Sequence, residues 1–374
     1  MGSIAKRLKG FMAPGKYIQG QGLLESLGEY TAAFGGKVTA FIDDFLFDII
    51  APKLEKAYPS GCTKIAFKGQ VSLVNAEKYI AAAKESGAEV IIGIGGGRTM
   101  DMAKLVANEL GTKQVIIPTS ASTDAPTSAL SVIYTETGEH SHEIFYDKGP
   151  DLVLVDTDVI AAAPVRLLVA GMGDALATLF EARANRTSDS TTNMKGGFKQ
   201  TLAAYAIAKE CYRVLLRDGT AALQAAQVGA VSPALDNIIE VNTLLSGIGA
   251  ETNGASGAHA FHDGFTVLEA CHGMLHGEKV SFGVVCQLVL ENCPPEEVEE
   301  VLHFACSVGL PVCMADLGLP ALTPEDARAV AKAVMGSPLI LRECLDVNED
   351  LIYATILAAD RIGSEYKRKF VAAQ

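Results

Sequence analysis

Short apolar runs alternate with stretches of helical spacing through the first part of the chain. Val38–Asp43, Lys64–Phe67, Glu89–Ile94, Gln114–Pro118 and Asp151–Asp156 have the length and apolar content of buried strands. Val74–Ser86 and Thr99–Leu110 carry helical spacing and are stopped by Gly87 and Gly111. This rhythm predicts an α/β domain with a mostly parallel, Rossmann-like sheet covered on both faces. After Pro126 the pattern changes. Ser131–Tyr134 and Ile144–Tyr146, with a Thr-Glu-Thr-Gly turn between them, predict a β-hairpin. From about Pro164 nearly everything has helical spacing: Val165–Ala184, Met194–Leu216, Pro233–Leu245, His259–His272, Lys279–Leu290, Pro295–Val308, Pro324–Met335 and Asp350–Gly363. The boundary falls near 158–166, so residues 1–163 are expected to form the α/β domain and residues 164–374 an all-α domain. No internal repeat, low-complexity tract or long linker interrupts them.

Composition agrees with two packed domains. The chain has 374 residues, 49% of them hydrophobic and 20% charged, enough to build two cores. Its net charge is −13 and no basic stripe appears, which argues against a nucleic-acid partner. No apolar run reaches membrane-spanning length. The eight cysteines form no Cys-x-x-Cys pair and lie mostly in apolar runs, as free thiols do. The start, Met-Gly-Ser-Ile-Ala-Lys, has no long apolar core and carries Lys6 where myristoylation requires Ser or Thr. A cytoplasmic location is the expectation.

Only 7 histidines occur, and 4 of them fall between positions 259 and 276. Asp174 in Gly-Met-Gly-Asp-Ala-Leu-Ala, His259 in Ala-His-Ala-Phe-His-Asp-Gly and His276 in Leu-His-Gly-Glu-Lys-Val offer one carboxylate and two imidazoles. That set suits zinc or ferrous iron, and three protein ligands leave a position open for water or substrate. The competing reading is of helix-face histidines with ordinary hydrogen bonds. A second candidate is Ile92-Gly-Ile-Gly-Gly-Gly-Arg-Thr-Met-Asp101, at a strand-to-helix junction. Glycines there let backbone N–H groups approach a pyrophosphate at the positive end of a helix, with Thr99 as a cap and Asp101 as an acceptor in the first turn; a plain tight turn is the alternative. No ribose-binding acid stands out downstream of the glycines, where the dinucleotide fingerprint places it. Asp43, at the end of an earlier strand, can bind ribose hydroxyls and repel a 2′-phosphate, favouring NAD. The loop Pro118–Ser128 is rich in hydroxyls that can meet phosphates or the nicotinamide amide.

These motifs together resemble the iron-containing (type III) alcohol dehydrogenases, and within them the bacterial, zinc-dependent glycerol dehydrogenase branch. The resemblance rests on PGKYIQG (14–20), GIGGGRTMDMAK (93–104), PTSASTDAPTSALSVIY (118–134), LVAGMGDALAT (168–178), NTLLSGIGAE (242–251), AHAFHDGF (258–265) and HGEKVSFG (276–283). It implies a dehydroquinate synthase-like architecture, with the active site in a cleft between an NAD-binding domain and a helical domain. It implies that Asp174, His259 and His276 hold zinc, that Asp43 binds the adenine ribose, and that Gly96, Gly97 and Thr99 meet the pyrophosphate. Thr119, Ser122, Ser128, Leu130 and Tyr134 would line the nicotinamide end, and Asp124 would contact a polyol substrate.

Some positions depart from the pattern. Relatives with a fourth protein ligand carry His where this chain has Thr178, Arg98 replaces a usual Lys, and Asp263 stands where Asn is common. The expected reaction is oxidation of glycerol or another vicinal diol by hydride transfer to NAD. Asp124 would orient a hydroxyl or relay its proton, unless it is an Asx-turn residue before Pro126. His262, on the same helical face as His259, reads as a support or proton relay rather than a ligand. Glu181, His272, His140, His142 and His303 read as surface or structural. Another polyol dehydrogenase, a glycerol-1-phosphate dehydrogenase, a dehydroquinate synthase-like lyase and an inactive NAD-binding scaffold are the alternatives. A homo-oligomer suits the alanine-rich helices.

Overall fold

The structure is a computed structural model that describes residues 8–373. The opening Met-Gly sequence and its Lys6 lie outside the described residues. The chain divides into two compact units, one of residues 12–164 and one of residues 165–373 joined by residues 8–11. The expected split put residues 8–11 in the α/β domain. They belong to the helical unit because their backbone pairs with Lys199: the Lys199 N–H donates to Leu8 O at 2.7 Å and the Gly10 N–H to Lys199 O at 3.2 Å.

Unit 12–164 is built on a six-stranded parallel sheet with β1 Tyr17–Gly20, β2 Val38–Asp43, β3 Thr63–Phe67, β4 Val90–Gly95, β5 Lys113–Pro118 and β8 Leu152–Asp156, in the order β1-β8-β5-β4-β2-β3. The central strands are apolar throughout because both faces are covered. Ile42, Ile94 and Ile117 point to one layer, with Leu24, Leu27 and Leu54. Phe41 points to the other, where its ring meets Tyr79 edge-on at 5.3 Å. A separate hairpin pairs β6 Leu130–Tyr134 with β7 His140–Phe145. Its second strand starts earlier than expected, so His140 and His142 lie on an exposed strand. The edge strand β1 and the helix Phe47–Ala57, interrupted in sequence by Pro52, were not expected.

Parallel pairing sends the carboxyl ends of β2, β4 and β5 to the same side, and the register sets Ile42 against Ile94 and Gly95 against Pro118. Asp43, the glycine turn and the 118–128 loop are therefore neighbours, at the side where open α/β sheets bind ligands.

The second unit is helical. The helix expected from Met194 starts at Leu202 instead, because Gly196 and Gly197 take positive φ (108° and 69°) and Thr201 caps the new start by accepting from the Ala204 N–H. The expected helix Pro233–Leu245 continues through a π-helical turn at Val241–Leu245 into Ser246–Asn253. The one expected over His259–His272 runs from Gly257 to Phe265 and stops. That break frees the chain to bring His276 in on the first turn of the next helix, His276–Leu290. Among the described residues no helix is long and apolar enough to cross a membrane. The eight cysteines are free thiols, with Cys344 exposed.

Candidate active site

The helix Val165–Thr187 carries Asp174 and Glu181 on one buried face. It meets the helix His276–Leu290 where Gly173 and Gly277 face each other. A Cβ on Gly173 would lie 2.2 Å from Gly277 O, and one on Gly277 would lie 1.8 Å from Ala170 O. Any side chain there would hold the helices apart. The two glycines beside Asp174 and His276 thus allow the approach that joins these residues.

Asp174 Oδ1 lies 3.2 Å from His276 Nε2 and 3.5 Å from His259 Nε2. One ligand atom from each of the three residues lies within 4.8 Å of the others. A tetrahedral zinc with ligands at ~2.0–2.1 Å separates its donor atoms by about 3.3–3.4 Å. The carboxylate-to-imidazole spacings match that value, and the donors are of the types zinc accepts, so the three residues fit such an ion. Electrostatics point the same way. Burial pushes the Asp174 carboxyl up, but the imidazoles of His276 and His259 outweigh it and hold it below the usual carboxylate range. Burial opposes charge on His259 too, yet Glu181 and Asp174 hold its pKa well above the ordinary value. The buried anions demand positive charge at this spot, which protons or a cation can provide.

His262 stands behind His276, with its Nε2 3.0 Å from His276 Nδ1, on the far side of that ring from Asp174. Its own Nδ1 is 3.2 Å from Asp263 Oδ1, and Ser337 donates to Asp263 Oδ2 at 2.8 Å. Burial and the neighbouring His276 lower the His262 pKa to about 3, so the ring is neutral.

The start of the helix Gly257–Phe265 has no cap of its own. Side chains of three other segments take its backbone donors. Glu181 Oε1 accepts from Ser256 and His259, Glu343 Oε1 from Gly257, and Gln287 Oε1 from Ala258, all between 2.8 and 3.0 Å. Burial and the nearby Glu291 raise the Glu343 carboxyl from 4.5 to about 8, despite Ser256 and the Gly257 N–H, with Glu181 adding to the rise. A carboxyl that holds its proton more tightly when folded stabilises the fold fully below about pH 4.5, and that contribution fades as pH rises through about 8. Melting temperature should accordingly fall across that window, and Glu343→Gln should flatten the slope. An identical slope in the variant would contradict the assignment.

In the α/β unit the helix Gly97–Leu110 starts at Gly96, and a Cβ on Gly96 or Gly97 would meet nothing within 4 Å. Open space thus faces the unpaired N–H groups of a helix start, the arrangement that accepts phosphate. Thr99 is not the cap. Its buried hydroxyl donates instead to Asp43 Oδ2 at 3.2 Å and ties the acid to the glycine turn. Nor does Asp101 serve the first turn: its carboxylate accepts from the Val132 N–H at 3.1 Å and from Lys104 at 3.3 Å. The Thr119 N–H donates to Gly95 O at 3.1 Å, so the hydroxyl loop starts against the glycine turn. Within it Ser120 and Ser122 pair at 3.3 Å, and Thr123, two residues before Ala125, accepts from the Ala125 N–H.

Comparison with known proteins places this geometry in a family. The iron-containing alcohol dehydrogenase model matches residues 14–157. A glycerol dehydrogenase of Citrobacter freundii is 45% identical over 96% of this chain and 99% of its own length. The chain belongs to the iron-containing alcohol dehydrogenase family. The crystal structure of a probable glycerol dehydrogenase from Sinorhizobium meliloti 1021 matches with a TM-score of 0.90 at 42% identity, covering 96% of this chain and 99% of that one. That of glycerol dehydrogenase from Schizosaccharomyces pombe gives 0.92 at 35% identity, covering 97% and 93%. As a family member, the protein is an oxidoreductase of a metal-dependent, NAD-using type.

Within this iron-containing alcohol dehydrogenase, Thr178 turns away from the Asp174 cluster. Its hydroxyl pairs with Ser246 at 3.3 Å and its methyl packs against Gly249. Two residues escaped the sequence reading. Glu181, read as surface or structural, is buried, and its Oε2 lies 2.8 Å from His259 Nδ1; its spacing of seven from Asp174 on one helical face was the available signal. Lys104 is fully buried, and its Nζ donates to Ala125 O (2.6 Å), Ser128 Oγ (3.0 Å) and Leu130 O (3.2 Å) as well as to Asp101. A lysine at helical spacing gives no sign of such burial.

Proposed function

We propose that this protein oxidises glycerol and related vicinal diols, giving dihydroxyacetone from glycerol, with NAD as hydride acceptor and zinc at Asp174, His259 and His276. The observation that carries the reading is the convergence of one carboxylate oxygen and two imidazole nitrogens within 4.8 Å on three different helices. We take zinc rather than ferrous iron as the ion because the motifs resemble those of the zinc-dependent branch, and a carboxylate with two imidazoles is a donor set that zinc accepts with one position left open. When bound, the cation supplies the Lewis acidity that lowers the pKa of a secondary hydroxyl, and NAD supplies the acceptor for hydride.

The chain's own residues do the rest. Asp43 accepts the adenine ribose hydroxyls and, as an anion, disfavours a 2′-phosphate. Gly96, Gly97 and Thr99 present backbone N–H groups to the pyrophosphate. Thr119, Ser122, Ser128, Leu130 and Tyr134 line the nicotinamide end, and Asp124 orients the substrate's second hydroxyl or takes its proton. His276, ligating through Nε2, keeps its proton on Nδ1 for His262, which in turn donates to Asp263; His262 thereby supports His276. We place the enzyme in the cytoplasm, where free thiols stay reduced, and expect a homo-oligomer.

A spectrophotometric screen of NAD reduction with glycerol, 1,2-propanediol, ethanol and glycerol-1-phosphate tests the substrate class. Glycerol and 1,2-propanediol should lead, since their second hydroxyl gives Asp124 a partner that ethanol lacks, and the phosphate ester brings negative charge toward the carboxylates of Asp124 and Asp174. Faster turnover of ethanol or of the phosphate ester than of every diol would end the glycerol assignment.

A further inference from the structure

Glu181 grips His259 at two places. Its Oε1 accepts the His259 backbone N–H at 3.0 Å, with the Ser256 N–H at 2.8 Å beside it, and its Oε2 lies 2.8 Å from Nδ1 of the same residue's ring. A single buried carboxylate therefore ties down both the backbone and the imidazole of one residue. Nε2, the nitrogen across the ring, is the atom aimed at Asp174 Oδ1. Glu181 is thus on the side of the ring away from the cluster and is not one of its donors. A carboxylate that accepts from Nδ1 keeps a proton on that nitrogen, so when a cation replaces the proton on the other side of the ring it is Nε2 that offers its lone pair.

We propose that Glu181 is the positioning residue of the metal centre: it fixes the rotamer and the tautomer in which His259 ligates through Nε2. This rests on the reading of Asp174, His259 and His276 as a metal site. Carboxylate–histidine–metal chains work in this way: the outer carboxylate raises the basicity of the ligand nitrogen and fixes the ring. Glu343 and Gln287 share the same helix start, where they accept from the Gly257 and Ala258 N–H groups, and their side-chain partners are Ser256 and Glu291 rather than a ligand ring. They hold the helix, while Glu181 holds the ligand.

The Glu181→Gln variant separates the two roles. Its amide oxygen can still accept from Ser256 and His259. The NH2 group then faces Nδ1, and to ligate through Nε2 the ring must place an N–H against that NH2. Turning the amide over sets the NH2 against the two backbone donors instead, so glutamine cannot satisfy both sides. Zinc affinity of the metal-free protein, measured by competition with a chromophoric chelator, should fall about 10–100-fold in Glu181→Gln. Glu343→Gln, at the same helix end, should leave it unchanged.

If Glu181→Gln does not fold, 15N-histidine NMR of the unaltered, zinc-loaded protein decides the matter. Ligation of His259 through Nε2 with a proton on Nδ1 supports the proposal, and ligation through Nδ1 overturns it. Wild-type zinc affinity in Glu181→Gln overturns it too, as does an equal loss in Glu343→Gln, which would mean that the helix end alone matters. An unaltered protein that binds no zinc overturns the metal reading itself, and this inference with it.

Discussion

Asp174→Ala should lose at least ~100-fold in activity, a barrier increase of about 3 kcal/mol, because the Lewis acid contributes several kcal/mol to transition-state stabilisation. Asp174 is the one carboxylate of the cluster and is 2% exposed. Its oxygen stands between two imidazoles at 3.2 and 3.5 Å. Without it an ion would have two neutral donors in a buried site, with no ligand charge to offset its own. The variant should therefore contain little zinc by elemental analysis. Treating the unaltered protein with a chelator should remove its activity, and added zinc should restore it. The variant should not recover when zinc is added at the same level. Turnover near the unaltered rate in Asp174→Ala would take Asp174 out of the site.

Replacing Lys104 by Met should cost about 3–5 kcal/mol of stability, the usual penalty for removing one partner of a buried ion pair. The ammonium side chain is fully buried, its partner Asp101 is nearly so, and the two lie 3.3 Å apart. Burial already works to raise the Asp101 carboxyl, and Lys104 is the main force opposing it. Removing the lysine strands that acid. It also frees the carbonyls of Ala125 and Leu130 and the hydroxyl of Ser128, which one ammonium now gathers. KM for NAD should rise with the loss of stability, because Ser128 and Leu130 belong to the proposed nicotinamide lining. Denaturant unfolding measures the first effect. Adding Asp101→Asn to Lys104→Met should recover much of the stability, since no charge is then left buried, but not the KM, since the loop remains untied. A KM recovered along with stability would show that Lys104 acts on the fold alone.

The buried strands of the α/β unit and the helices after Val74 and Thr99 were legible because buried parallel strands are apolar without interruption and those helices end at glycines; Val38–Asp43 coincides with the observed strand, while the edge strand Tyr17–Gly20 and the helix Phe47–Ala57 were missed. The helical unit was harder to read. Gly196 and Gly197 delay a helix that apolar spacing would start at Met194, and the chain between Phe265 and His276 leaves a helix that spacing alone would continue. Periodicity reports which face is apolar, and it cannot see a backbone turn that tertiary packing demands.

At the candidate site, residue chemistry was local and could be read directly. One acid and two imidazoles are donors that zinc or ferrous iron accepts, and a glycine run after a buried strand suits a phosphate cradle or a plain tight turn. The sequence alone thus determined the α/β and helical classes of structure, the parallel sheet, the donor types and the family. What tertiary structure decided is which atoms meet. The contact of Gly173 with Gly277 closes two helices on each other, Glu181, left as surface or structural, and Lys104, on which spacing was silent, are buried, and Thr99 turns to Asp43. These depend on distances between segments far apart in the chain, and those distances are set by packing, which no local pattern records.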